Sequence, residues 1–167
     1  MSDGEREVLT YELFGRAARE LAQQIADDGF VPDAIVAIAR GGLTLAGALG
    51  YALDVKMLGS LNVEFYTGVG STLAAPVVLP PTLDQDSLRG KRILLVDDVA
   101  DSGRTLAMVL ELLRAGGGEV RTVCVYSKPT TIEEPHYVWK RTDRWINFPW
   151  SVEGPVTART EATVIDA

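Results

Sequence analysis

The sequence predicts an α/β fold: a mainly parallel, twisted sheet flanked by helices, with a small C-terminal hood. Three observations predict it. A continuously apolar run at 34–39 ("AIVAIA") reads as a strand covered on both faces, and "RILLVD" (92–97) and "VRTVCVYS" (120–127) read as further, largely apolar strands. Stretches with helical spacing or small apolar composition lie between them. The last 40 residues differ: they hold all three tryptophans and the only histidine, with no clean period.

The elements follow in order. Residues 10–28 carry Leu13, Phe14, Ala17, Ala18, Leu21 and Ile25 on one helical face, with Thr10 as N-cap and Gly29 as stop. After the strand at 34–39, "LTLAGALGYAL" (43–53) is small and apolar enough for a tightly packed helix. Residues 55–66 read as a strand broken near Gly59, and "TGVGSTLAAP" (67–76) as a mobile loop. A strand over 92–97, a helix over 104–115 ended by Gly116–Gly118, and a strand over 120–127 complete the core. The alternation β, α, β, β, α, β implies parallel pairing with helices on the faces. One domain over 1–167 is expected: a core over about 8–129, a hood over 130–153 and a loosely ordered polar tail over 154–167.

Composition narrows the function. A chain of 167 residues, 47% hydrophobic and 23% charged, reads as an ordinary soluble domain. No apolar run approaches the roughly 20 residues of a membrane helix, and the acidic start lacks a signal-like pattern. Cys124 alone supports neither a disulfide framework nor a cysteine zinc site, and it reads as core. A cytoplasmic protein with no membrane partner is expected. A net charge of −7 argues against a nucleic-acid partner. It leaves room for a small phosphorylated ligand met by magnesium, backbone N–H groups and a few cations.

The chemistry concentrates in "RILLVDDVADSGRTL" (92–106). Ligands of open α/β sheets bind beyond the carboxyl ends of strands. Asp97 and Asp98 stand at such an end, and two adjacent carboxylates there need a metal, a lysine or ligand hydroxyls as partner. A strand-end cap would explain one acid more readily than two. Ser102, Gly103 and Thr105 then open a helix. Its N–H groups, a glycine allowing close approach and two hydroxyls make a phosphate cradle. A hydroxyl or metal site beside a phosphate site suits a sugar phosphate. The P-loop string G-x-x-x-x-G-K-[ST] and the dinucleotide pattern G-x-G-x-x-G are absent. A receiver domain would place its paired acids on the first strand, not after some 90 residues.

"ILLVDDVADSGRT" resembles the PRPP-binding motif of the type I phosphoribosyltransferases, with Arg104 where a small residue or lysine is more common. "ARGG" at 39–42 resembles the pyrophosphate loop of the purine members, although Arg-Gly-Gly alone also suits a simple helix entry. "SKP" (127–129) with "WINFPW" (145–150) resembles the xanthine–guanine group.

The resemblance implies a type I phosphoribosyltransferase fold and a magnesium-dependent purine salvage reaction. A 6-oxopurine (guanine, xanthine or hypoxanthine) and PRPP would give the nucleoside 5′-monophosphate and pyrophosphate. It implies Asp101 as the base for the purine N7 proton, and Asp97, Asp98, Ser102, Gly103, Arg104 and Thr105 for PRPP. Asp97 and Asp98 would also hold Mg2+ through water. Arg40 and Gly41 would hold pyrophosphate, with a cis peptide expected at Arg40–Gly41. Lys128 would donate to O6, Trp145 would stack on the base, and the Ile146 backbone would meet its edge. Loop 67–76 would close as a lid, although it carries no cation. A homodimer or homotetramer is implied, with helix faces at 43–53 or 104–115 available.

Two other readings stand beside this one: a phosphoribosyltransferase for adenine or a pyrimidine, and a PRPP-binding regulator. Lys128 argues against the first, and the acidic charge against the second. His136, with no second histidine for metal pairing, reads as a surface or hood residue, Glu133 and Glu134 as solvated, and Trp139, Phe148 and Trp150 as hood packing.

Overall fold

The computed structural model describes residues 5–66, 75–78 and 83–158. In chain order the elements are β1 (Glu7–Val8), α1 (Tyr11–Asp27), β2 (Ala34–Ala39), α2 (Gly41–Ala52), β3 (Leu58–Tyr66) and β4 (Ala75–Val78). A 3-10 turn at Asp86–Leu88 precedes β5 (Ile93–Ala100), α3 (Arg104–Arg114), β6 (Val120–Ser127), β7 (Tyr137–Arg141) and β8 (Ile146–Asn147).

The main sheet runs β4-β3-β2-β5-β6-β7, parallel except for the antiparallel edge strand β4. Two connections set its geometry. From β2 the chain passes through α2 to β3 on one side, and from β5 through α3 to β6 on the other. The order therefore switches direction between β2 and β5, which opens a crevice at their carboxyl ends.

Strand alternation sorts the core into two layers. Leu94 and Val96 face α1 and α2, packing with Leu21, Ile25, Leu45 and Leu49. Ile93 and Leu95 face α3, packing with Val109, Leu110 and the buried Cys124. Helix α1 buries Phe14, Ala17, Ala18, Leu21, Ala22 and Ile25. The Thr10 hydroxyl accepts from the Leu13 N–H at 3.1 Å, a cap worth about 1 kcal/mol, and Gly29 ends the helix in the left-handed region at φ 71°.

Several elements depart from the sequence expectation. β3 runs unbroken through Gly59. Residues 75 and 76 of the expected loop belong to β4, and 67–74 lie outside the described residues, as do 159–167 of the tail. β5 extends past Asp97 to Ala100, because β6 pairs with it as far as Ser127 while β2 pairing stops at Val96. The hood segment is divided: β7 joins the main sheet beside β6, and β8 pairs with β1 in a separate two-stranded sheet. Aperiodic sequence hid β7, whose burial alternates only weakly.

Contacts fasten this segment down. The Thr122 N–H donates to His136 Nδ1 at 3.1 Å, and the His136 N–H donates to the Thr122 hydroxyl at 3.0 Å. Glu134 is not simply solvated: it accepts from the buried Ser127 hydroxyl at 2.7 Å and from Arg141 at 2.5 Å.

Candidate active site

Asp97 and Asp98 sit where β5 has lost its β2 neighbour but still pairs with β6. Being adjacent in a strand, they point to opposite faces. Asp97 lines a cleft on the α3 side with Ile38, Ala39, Ser102, Gly103 and Thr105. Asp98 lines a cleft on the α2 side with Arg40, Gly41, Trp150 and Ser151. Burial pushes the Asp97 carboxyl well above the usual carboxylate range, and the charge of Asp98 pushes it further. Burial also raises Asp98, partly offset by the Val99 N–H and the Trp150 indole, which donate to it.

Because the two carboxyls open into separate clefts, each fits a hydrated divalent cation singly rather than as a pair. Such an ion takes one or two carboxylates and completes its shell with water and phosphate oxygens. Among the described residues no cluster of three or more histidine, cysteine or acidic residues could hold a metal without that help.

The Arg-Gly-Gly segment enters α2 with Arg40 as an exposed N-cap residue. Its glycines are needed for approach. A Cβ on Gly41 would overlap the Asp98 carboxylate, and one on Gly42 would overlap the Val96 carbonyl. The first turn of α2 therefore lies directly on the end of β5. The non-proline cis peptide is at Ala39–Arg40, one bond before the expected Arg40–Gly41.

The loop after β5 is braced from behind. Gly103 adopts φ 74° and abuts Thr131 and the backbone of Ile132 and Glu133, where a Cβ would collide. The Ile132 N–H donates to the Ser102 carbonyl at 2.9 Å. The N-cap residue Gly103 has no side chain to cap α3, and only the Arg104 N–H is met locally, by the Ser102 hydroxyl at 3.4 Å, which leaves the next N–H groups for an anion. Ser102, Gly103 and Thr105 line this cleft with Asp101, whereas the exposed Arg104 side chain does not.

The third cleft, about 320 Å³, is lined by Arg6, Val99, Asp101, Lys128, Trp145, Ile146, Asn147, Phe148, Ser151 and Val152. That lies at the lower end of the range for small-molecule sites. Lys128 Nζ stands 3.4 Å from Asp101 Oδ2 and 5.4 Å from the centroid of the Trp145 ring. Trp145 is 66% exposed, whereas Phe148 and Trp150 stack at 5.2 Å and Trp139 meets Tyr126 edge-on. The Trp145 and Asn147 carbonyls accept from the Glu7 and Leu9 N–H groups of the N-terminal segment. Strand alternation therefore turns the polar backbone groups of Ile146 the other way.

The structure thus brings together all the expected residues except the Arg104 side chain, in three clefts that share walls. Asp101 and Val99 belong to two of them, and Ser151 to two. Three contributors were missed. The Thr130 hydroxyl donates to the Asp101 carbonyl at 3.1 Å and approaches its Oδ1 at 3.4 Å. Trp150 reaches Asp98, and Arg6 lines the third cleft. Thr130 lies two residues from Lys128 and Trp150 closes the WINFPW motif, where it was read as hood packing; Arg6 arrives from a distant segment with no local signal.

The family model for the phosphoribosyl transferase domain matches residues 5–155. The chain belongs to the phosphoribosyltransferase family. It is 37% identical over 145 residues to the xanthine-guanine phosphoribosyltransferase of Gluconobacter oxydans, covering 85% of this chain and 82% of that protein. It is 31% identical over 147 residues to the same-named protein of Nitratidesulfovibrio vulgaris, covering 87% and 84%. Among solved structures, the purine phosphoribosyltransferase of Pyrococcus horikoshii superposes with a TM-score of 0.78 at 37% identity, over 93% of this chain and 99% of that one. The expected type I fold, a parallel sheet flanked by helices, is the fold these proteins share.

Proposed function

We propose that the chain is a purine salvage enzyme transferring the 5-phosphoribosyl group from PRPP to a 6-oxopurine. The observation that carries this reading is a shared wall. Asp101 and Lys128 face an exposed Trp145 in one cleft, and Asp101 also borders the phosphate cradle of the next. A base and a ribose phosphate bound side by side meet across Asp101.

The roles follow from position. Arg40 and the backbone N–H groups at Gly41–Gly42 hold pyrophosphate oxygens. The backbone and hydroxyls of 101–105 hold the 5′-phosphate, with Arg104 contributing its backbone rather than its side chain. Asp97 and Asp98 would hold the ribose hydroxyls and a hydrated Mg2+. When bound, the ion neutralises charge on the leaving pyrophosphate. Trp145 stacks on the purine, Lys128 donates to O6, and the free Ile146 backbone meets the opposite edge. As N9 bonds to the ribose C1 and the C1–oxygen bond to pyrophosphate breaks, Asp101 accepts the N7 proton. No protein nucleophile is needed; positioning and charge stabilisation lower the barrier.

A homodimer or homotetramer is supported by the apolar surface of α2, where Leu43 and Tyr51 are 43% and 94% exposed around Gly47. A cytoplasmic setting accords with a single cysteine that is buried and free. Among the described residues no helix is long and apolar enough to cross a membrane.

The test is pyrophosphate release with Mg2+ and PRPP against guanine, xanthine, hypoxanthine, adenine and uracil. Turnover on the 6-oxopurines is expected, falling by about 10²–10⁴ in Asp101→Asn and by roughly 10² in Lys128→Ala. Preference for adenine or uracil would point to the other base class. PRPP binding without turnover of any base would point to a regulator.

A further inference from the structure

We propose that Arg6 is a specificity-determining residue that selects a 2-oxo purine, xanthine, over a 2-amino purine. The inference rests on the reading above, in which the base occupies the cleft between Lys128 and Trp145.

Arg6 immediately precedes β1. Alternation along the strand turns Glu7 inward, where its side chain is 13% exposed against Lys140, and turns Arg6 to the face lining the base cleft. Among the described residues its side chain makes one hydrogen bond, to a neutral acceptor: Arg6 donates to Asn147 Oδ1 at 3.2 Å. Among the described residues Arg6 has no ion-pair partner. The nearby carboxylates are engaged elsewhere: Glu5 with Arg144 at 2.8 Å, Glu7 with Lys140 at 2.6 Å, and Asp101 with Lys128 at 3.4 Å. A guanidinium offers five N–H donors and no acceptor, so most of its donors remain for a ligand.

The position assigns the ligand atom. With Lys128 on O6 and Asp101 on N7, the opposite edge of the purine carries the 2-position. That edge meets the strand pair formed by Glu7 and Val8 with Ile146 and Asn147, where Arg6 and the Ile146 backbone converge. A 2-oxo group accepts from a guanidinium. A 2-amino group presents donors to the Arg6 donors, and must share Asn147 Oδ1 with Arg6 or turn to the Ile146 carbonyl. Hypoxanthine has no 2-substituent to engage. The cleft thus places a cation at each oxo end of a 2,6-dioxopurine, and the bond to Asn147 keeps the second cation over the cleft.

The experiment compares kcat/KM for xanthine, guanine and hypoxanthine in the wild type, Arg6→Ala and Arg6→Lys. Equilibrium binding of the xanthine and guanine nucleoside monophosphates is measured alongside, so the ratio is read even without turnover. Arg6→Ala is expected to lower the xanthine-to-guanine ratio about five- to tenfold, as for a partly exposed charge-assisted hydrogen bond. The change should fall in KM rather than kcat, with substantial recovery in Arg6→Lys. An unchanged ratio in both assays overturns the inference. So does a parallel loss for all three bases, or a rise confined to the KM for PRPP. Failure of the wild type to use any purine, with the nucleotide-binding ratio still dependent on Arg6, would count against the enzymatic reading alone.

Discussion

At the residue scale, the paired acids of β5 are held in a costly state. Burial raises both carboxyls in the folded chain, and the charge of Asp98 raises Asp97 further. A raised carboxyl stabilises the fold fully below the unfolded value of about 3.9. That stabilisation is lost as pH rises through the raised folded value. At neutral pH without ligand the pair is therefore a liability. Asp97→Asn should raise Tm at pH 7 by about 2–4 °C, the size of ~1 kcal/mol in a chain of this length, while weakening PRPP binding. The advantage should shrink towards pH 4; a gain that persists there sinks the electrostatic account. Thr130 acts on the third acid. Because its hydroxyl holds Asp101, Thr130→Val should lower kcat several-fold with the KM for PRPP and for the base nearly unchanged, and Thr130→Ser should restore kcat. A rise in both KM values alongside the fall in kcat, unrescued by Thr130→Ser, would make Thr130 merely structural.

At the element scale, the site depends on how closely α2 approaches β5. Two glycines permit that approach for different reasons. Gly42 faces the Val96 carbonyl and Gly41 faces the Asp98 carboxylate. Backbone yields less than a side chain. Gly42→Ala should therefore destabilise the fold by about 1–3 kcal/mol, read by denaturant unfolding. Gly41→Ala should cost less stability but displace Asp98 and weaken PRPP binding at least tenfold. Equal loss of stability in the two variants would contradict this division. The element was legible as a helix after a strand, but its start was expected at 43. The glycines that read as a loop are the first turn of α2.

At the scale of the whole molecule, the base cleft is closed by segments far apart in sequence. β1 and β8 pair across about 140 residues, and the Glu7–Lys140 and Glu5–Arg144 ion pairs tie the same ends together. Deleting residues 1–8 should free one wall of the base cleft while leaving the phosphate cradle intact. The KM for the purine should rise about tenfold or more, with the Kd for PRPP within about twofold. Titration of PRPP and the base against the truncated chain separates the two, and an equal loss of both would mean that the N-terminal segment supports the entire fold.

Much of this protein is determined by local sequence. The apolar runs of β2, β5 and β6, the face of α1 with its Thr10 cap, and the order of acids, serine, glycine and threonine after β5 each follow from the chemistry of neighbouring residues. The family of the chain was legible for the same reason, since its motifs are contiguous. Tertiary structure decided the rest. It sent Asp97 and Asp98 to opposite faces and turned Arg104 away from the cradle. It drew β7 into the main sheet despite its weak period, and gave His136 and Glu134 partners on β6. It also brought Arg6 to the base cleft. These outcomes depend on pairings between distant segments, whose free energy comes from burial and hydrogen bonds that no local window contains.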